Sequence, residues 1–151
     1  MKRVAWWIAA GGGVGLARPA PGTWASIVAV LLGAGLLALG WKLLAAAAVL
    51  ASLTGFWAIA AADIAGDPGF VVIDEVAGQW VTLLGLAHPS PLGVLLALAL
   101  FRLLDVTKPG PIGWADRQSG PAGVMADDLI AGAIGAVALW AVRAYWPGLL
   151  G

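Results

Sequence analysis

Residues 27–62 read IVAVLLGAGLLALGWKLLAAAAVLASLTGFWAIAAA. Lys42 is the one charge in this stretch, and Ser52 and Thr54 are its other hydrogen-bonding side chains apart from the indoles. Residues 43–62 reach the about 20 apolar residues that a membrane-spanning helix needs. Residues 27–41 fall short of that length unless residues 23–26 join them. The pair is therefore read as a helical hairpin that turns at residues 40–42.

The rest of the chain fits the same solvent. Of 151 residues, 62% are hydrophobic and 11% charged, where soluble domains run nearer half apolar and a quarter charged. A chain this short buries only part of its surface on folding, so lipid must cover the excess. Formal net charge is zero, which gives no electrostatic reason for a nucleic-acid partner. There are no cysteines, so disulfides, thiolate metal sites and cysteine nucleophiles drop out together. Lys2 and Arg3 precede apolar residues 4–10, but three glycines follow and no Ala-x-Ala site does. That start is read as part of the mature chain, with a cytoplasmic N-terminus under the positive-inside bias. Residues 1–151 are read as one domain.

Glycines and prolines predict a loop over residues 11–26. A second polar segment, residues 63–75, turns at Asp67-Pro68-Gly69. Val71, Val72 and Ile73 are β-branched but have no obvious partner strand, so they read as an extended lead-in or a helix start. Helices are expected over residues 76–87, before the break His88-Pro89-Ser90-Pro91, and over residues 92–104, before Pro109 and Pro111. Residues 114–125 read as a polar connection, and residues 126–146 as the last helix, with Pro147 and Gly148 beyond. The stretches after Ile73 read as shorter than full spans, tilted or re-entrant where protein covers their polar ends. The expected fold is an all-α membrane protein, with several transmembrane or re-entrant helices around an interfacial polar site.

The eight acids are Asp63, Asp67, Asp74, Glu75, Asp105, Asp116, Asp127 and Asp128, with Arg102, Lys108 and Arg117 among them. They sit at the ends of several apolar segments, where folding can gather them. Ionisable groups beside membrane helices point first to function; the competing reading is solvated loop charge. Arg102, Asp105 and Lys108 share a helical face, so Asp105–Lys108 could be a simple helix-end pair. Asp74-Glu75 and Asp127-Asp128 are adjacent like charges that repel unless a cation offsets them. Mg²⁺ takes carboxylate oxygens and leaves room for phosphate. Two acid pairs plus Asp105, near Arg and Lys, therefore fit a metal-and-phosphate site. Asp127 or Asp128 could instead cap the last helix. Asp63 reads as a helix-end charge, and Asp67 and Asp116 as supporting candidates. The one histidine, His88, lies in a proline turn without a second histidine to act as acid. The glycines at 11–15 lack the strand–helix context of a dinucleotide loop. Seven of the nine tryptophans, Trp6, Trp7, Trp24, Trp41, Trp80, Trp114 and Trp146, read as interface anchors. Gly78 and Ala131-Gly132 read as small residues that permit close helix packing.

Four blocks, in order, resemble the phosphatidylglycerophosphatase A family. They are Arg18-Pro19-Ala20-Pro21-Gly22-Thr23-Trp24-Ala25-Ser26, then Asp67-Pro68 with Val72-Ile73-Asp74-Glu75-Val76-Ala77-Gly78-Gln79-Trp80. The third is Phe101-Arg102-Leu103-Leu104-Asp105-Val106-Thr107-Lys108-Pro109-Gly110-Pro111-Ile112. The fourth is Asp116-Arg117 with Gly123-Val124-Met125-Ala126-Asp127-Asp128 and Ala131-Gly132. One departure stands out: Pro121 follows Gly120 where the family has paired glycines.

The resemblance implies a Mg²⁺-dependent phosphoric monoester hydrolase of the bacterial inner membrane, its site facing the cytoplasm. Such an enzyme converts the phospholipid phosphatidylglycerophosphate to phosphatidylglycerol and phosphate. On that reading Asp74, Glu75, Asp105, Asp127 and Asp128 form the catalytic, metal-binding set, and Arg18, Arg102, Lys108 and Arg117 bind substrate. Glu75 is the first choice of general base, and a covalent aspartyl-phosphate on Asp74 or Asp127 stays open. The alternative is a membrane transporter or ion-binding protein using the same acids. A transporter predicts ionisable residues at helix midpoints, whereas here they lie at segment ends.

Overall fold

The computed structural model describes residues 1–146 and 148–150. Among the described residues seven α-helices follow one another: α1 (Lys2–Ala9), α2 (Pro21–Leu39), α3 (Trp41–Ala61), α4 (Ile73–Leu83), α5 (Pro91–Thr107), α6 (Pro111–Asp116) and α7 (Gly120–Tyr145). A 3-10 segment, Gly11–Leu16, links α1 towards α2. No strand occurs among the described residues. Val71 and Val72 form the lead-in, and the backbone N–H of Val72 donates to the Ala9 carbonyl at 2.9 Å.

Residues 23–26 do join the first span. Pro21 opens α2 in its first turn, where its missing N–H costs nothing. The 19-residue α2 and 21-residue α3 are long and apolar enough to cross a membrane. Gly40 alone separates them, as the hairpin reading expects. Neither helix has a polar stripe to turn to water. Ser26, Ser52 and Thr54 donate their hydroxyls to carbonyls one turn earlier in the same helix. Leu31, Leu32, Val49, Leu50 and Leu53 point outward, a cost in water and no cost in lipid.

Residues 114–125 are not a connection: α6 takes in Trp114–Asp116 and α7 starts at Gly120, with Pro121 in its first turn. As a result α7 is a third helix long and apolar enough to span, with 26 residues, rather than a short or re-entrant piece. Pro147, expected beyond this helix, lies outside the described residues.

The short helix α4 is packed between α2, α3, α5 and α7. Its crossing with α7 depends on two glycines. A methyl on Gly78 would lie 2.5 Å from the Asp128 carbonyl and 2.6 Å from the Phe101 ring, and one on Gly132 would collide with the Gly78 carbonyl. Backbones therefore approach as only small residues allow. Trp80 is not an interface anchor: it is half-buried, and its Nε1 donates to the Ala29 carbonyl of α2 at 2.8 Å. Trp7, Trp24, Trp41, Trp114 and Trp146 are exposed.

Candidate active site

Helix starts and ends deliver the charged side chains. Asp74 and Glu75 lie in the first turn of α4, where carboxylates suit the positive end of the helix dipole. The Glu75 N–H donates to Asp74 Oδ1 at 3.0 Å. Arg102 and Asp105 come from the last turns of α5 and pair with each other. Asp127 and Asp128 lie two turns inside α7. Ser119 occupies the N-cap position of that helix, so neither aspartate is its cap.

Lys108 ends α5 in a left-handed conformation, φ 46°. Its amine leaves Asp105 and reaches both Asp116 and Asp127, each at 2.5 Å. The simple Asp105–Lys108 pair is thus replaced by Arg102–Asp105 and a Lys108 bridge between α6 and α7.

Two groups of three carboxylates result. Oxygens of Asp74, Glu75 and Asp128 lie within 4.8 Å of one another, as do those of Asp105, Asp127 and Asp128. Asp128 belongs to both. Asp74, Asp127 and Asp128 are buried, at 5%, 4% and 3% exposure. Glu75 Oε2 and Asp127 Oδ1 are buried with no hydrogen-bond partner. Buried oxygens of this kind are rarely left unsatisfied, and here they face a crowd of acids with Arg102 and Lys108 as the nearby cations.

That crowding is visible in the titration of the groups outside the spanning helices. Burial pushes the Asp74 carboxyl well up, and the charges of Glu75 and Asp128 add to it. Burial and then the charge of Asp105 raise Glu75, the Asp74 hydrogen bond and Arg102 oppose, and the balance lies at about 7. Burial works against the Lys108 charge, but hydrogen bonds to Asp116 and Asp127 outweigh it and hold the amine above its ordinary value. Asp67 is raised by burial and then by Asp127. It lines a cavity of about 260 Å³ with Asp116, Gly120 and Asp127.

All five expected acids therefore come together with Arg102 and Lys108. Arg18 and Arg117 are exposed and outside these ion pairs. Arg18 lines a separate cleft of about 550 Å³ with Pro19, Pro21, Gly69 and Phe70. Asp63 is a helix-end charge that meets Lys2 at 3.5 Å. Three neighbours were absent from the sequence reading of the site. Gly22 presses its Cα side against Glu75. The Thr23 hydroxyl is 3.5 Å from Arg102 Nη2. Gln79, one helical turn beyond Glu75, is fully buried with both amide atoms unpartnered. Gly22, Thr23 and Gln79 all fall inside the quoted sequence blocks, the only signal that could have singled them out.

A chemistry follows from the donor set. Hard carboxylate oxygens, without thiolates and with His88 outside both groups, suit a hard divalent cation. Arg and Lys beside them suit phosphate. No solved structure matches the chain. Sequence relatives do. Phosphatidylglycerophosphatase A of Escherichia coli (strain K12) is 35% identical over 93% of this chain and 84% of its own. The protein of the same name from Haemophilus influenzae is 36% identical over 92% and 88%. A Bacteroides thetaiotaomicron protein, provisionally named a phosphatidylinositol-3-phosphatase, is 34% identical over 89% and 93%. The family model described as Phosphatidylglycerophosphatase A matches residues 7–143. The chain belongs to the phosphatidylglycerophosphatase A family.

Proposed function

We propose that this chain is a Mg²⁺-dependent phosphatase that hydrolyses phosphatidylglycerophosphate to phosphatidylglycerol and phosphate. The observation that carries the reading is the pair of carboxylate groups joined at Asp128 and flanked by Arg102 and Lys108. The residues fit the ion: the donors are all oxygen, and the bare Glu75 Oε2 and Asp127 Oδ1 are the partners a cation would complete. Asp74, Glu75 and Asp128 would hold one ion, and Asp105, Asp127 and Asp128 a second. Bound Mg²⁺ supplies charge neutralisation at phosphoryl oxygens and makes water a better nucleophile at neutral pH.

The side chains do the rest. Arg102 and Lys108 bind phosphate oxygens, and Asp116 keeps the Lys108 amine charged and aimed. Glu75, a carboxylate beside the ion it would help to hold, takes the proton from the attacking water. The alternative route is an aspartyl-phosphate on Asp74 or Asp127, each of which keeps one carboxylate oxygen outside its bond to the Glu75 N–H or to Lys108. Arg18 and Arg117 are assigned to the rest of the headgroup from their exposed positions.

The same reading puts the site on the cytoplasmic face of the bacterial inner membrane. Lys2, Arg3, Arg18, Arg102, Lys108 and Arg117 belong to the helix ends around the site. Lys42 and Arg143 belong to the opposite ends. That asymmetry supports a cytoplasmic site under the positive-inside bias. An ion carrier using the same acids would want them along a path through the bilayer, and here they gather at one end of the helices.

The test is phosphate release from phosphatidylglycerophosphate in detergent, with Mg²⁺ and with EDTA, and phosphatidylinositol 3-phosphate alongside to define headgroup preference. Release should require the metal, and folded protein without metal-dependent release would sink the proposal. Asp74→Asn and Asp127→Asn should each lower kcat by at least roughly a hundredfold with the melting temperature retained; activity in both would mean the site is elsewhere.

A further inference from the structure

A second charged feature lies outside the acid cluster. Lys2 and Arg3 open α1, Trp6 and Trp7 follow one turn later, and with Ala62 they line a cleft of about 360 Å³. The two indoles meet edge to face at 5.3 Å, and Trp6 stacks on Phe70 at 5.1 Å. Ala5 and Ala9 are buried in the core cluster that includes Ala58 and Ile59 of α3. The cations are thus presented from an anchored helix.

Their charge is poorly compensated. Lys2 meets only Asp63, at 3.5 Å, with side chains 73% and 85% exposed, a pairing worth little in water. Arg3 has no ion-pair partner among the described residues. Depth identifies the surroundings. Ala62 directly follows α3, which is long enough to span and ends at Ala61, so the cleft lies where hydrocarbon gives way to headgroups. Indoles favour that level, and basic side chains keep apolar stems below it and charge above.

We propose that this cleft binds an anionic phospholipid, with Lys2 and Arg3 on the headgroup phosphate and Trp6 and Trp7 against the glycerol and upper acyl chain. A zwitterionic lipid carries its own cation and gains less from the two basic residues. Free phosphate offers nothing for the indoles to cover. Trp6–Phe70 stacking and the Val72–Ala9 hydrogen bond tie α1 to the segment that leads into Asp74. The lipid therefore sits on a helix tied to that lead-in, in a cleft that no acid of the cluster lines, and the inference uses neither the metal nor the phosphatase reading.

Native mass spectrometry of the full chain in detergent tests this, titrating dioleoylphosphatidylserine against dioleoylphosphatidylcholine. Phosphatidylserine is anionic but has no phosphate monoester to occupy the catalytic site. The wild type should prefer phosphatidylserine. Lys2→Gln with Arg3→Gln should weaken that lipid by about 30-fold, from the ordinary contribution of two basic residues near anionic lipid, and leave phosphatidylcholine unchanged. Lys2→Arg with Arg3→Lys should keep the preference. No preference in the wild type, equal phosphatidylserine binding by the neutral pair, or loss of preference in the charge-keeping pair would each overturn the proposal.

Discussion

Gly22 shows how a missing side chain positions a present one. A methyl there would collide with Glu75 Oε1 and lie 3.3 Å from Arg102 Nη1. Gly22→Ala should push both groups out of place and lower kcat on the order of a hundredfold, as small misplacements do, with little change in melting temperature. Phosphate-release kinetics beside thermal unfolding would check it. Glu75 carries a second prediction. Its carboxyl titrates at about 7 folded, against 4.5 ordinarily. Between those values the folded, metal-free protein keeps a proton that the unfolded chain has released. The Glu75 contribution to stability without metal should therefore fall as pH rises from 4.5 towards 7. Mg²⁺ should raise the melting temperature more at pH 8 than at pH 5, because ligand carboxylates must be deprotonated; an equal rise at both would contradict it. The acids, and their gathering into groups that could hold a metal ion, were legible from residue type and adjacency. The partners of Lys108 were not, because helical spacing pointed to Asp105. The left-handed backbone at Lys108 turns the amine towards Asp116 and Asp127 instead.

At the scale of elements, the start of α7 was the hardest to read. Gly120, Pro121 and Gly123 are loop residues by composition, yet proline is at home in a first helical turn. The helix begins at Gly120, and this early start turns Asp127 and Asp128 from possible caps into buried side chains facing α4 and α5. The hairpin of α2 and α3 was legible because it needs only length and apolarity. The α4–α7 crossing was legible as small residues but not as a partnership, since Gly78 and Gly132 lie far apart in the chain. Gly132→Val should wedge α7 off the Gly78 carbonyl, destabilise the fold by about 1–3 kcal/mol, and separate Asp128 from Asp74. Gly35→Ala, where added atoms meet nothing within 4 Å, is the control. Thermal unfolding in detergent should distinguish the two.

For the whole molecule, all the acids and most of the bases are collected at one end of the three long helices. Composition made the membrane legible, and the charge pattern made the polar end legible. The number of long helices was not, because the third begins inside a segment rich in glycine and proline. A chain without native cysteines is suited to single-cysteine mapping in whole cells. Gln118→Cys, at the site end, should resist an impermeant thiol reagent in intact cells and react after permeabilisation. Trp41→Cys, at the α2–α3 turn, should react in both. The reverse pattern would place the site outside.

Asp128 is the single carboxylate common to both acid groups. Two ions held there would compete for electron density on one side chain and repel across it, so filling the first position changes the affinity of the second. Titration of such a centre departs from two independent isotherms. One aspartate then acts as a thermodynamic hinge, linking the occupancy of the α4 side of the site to that of the α5 side.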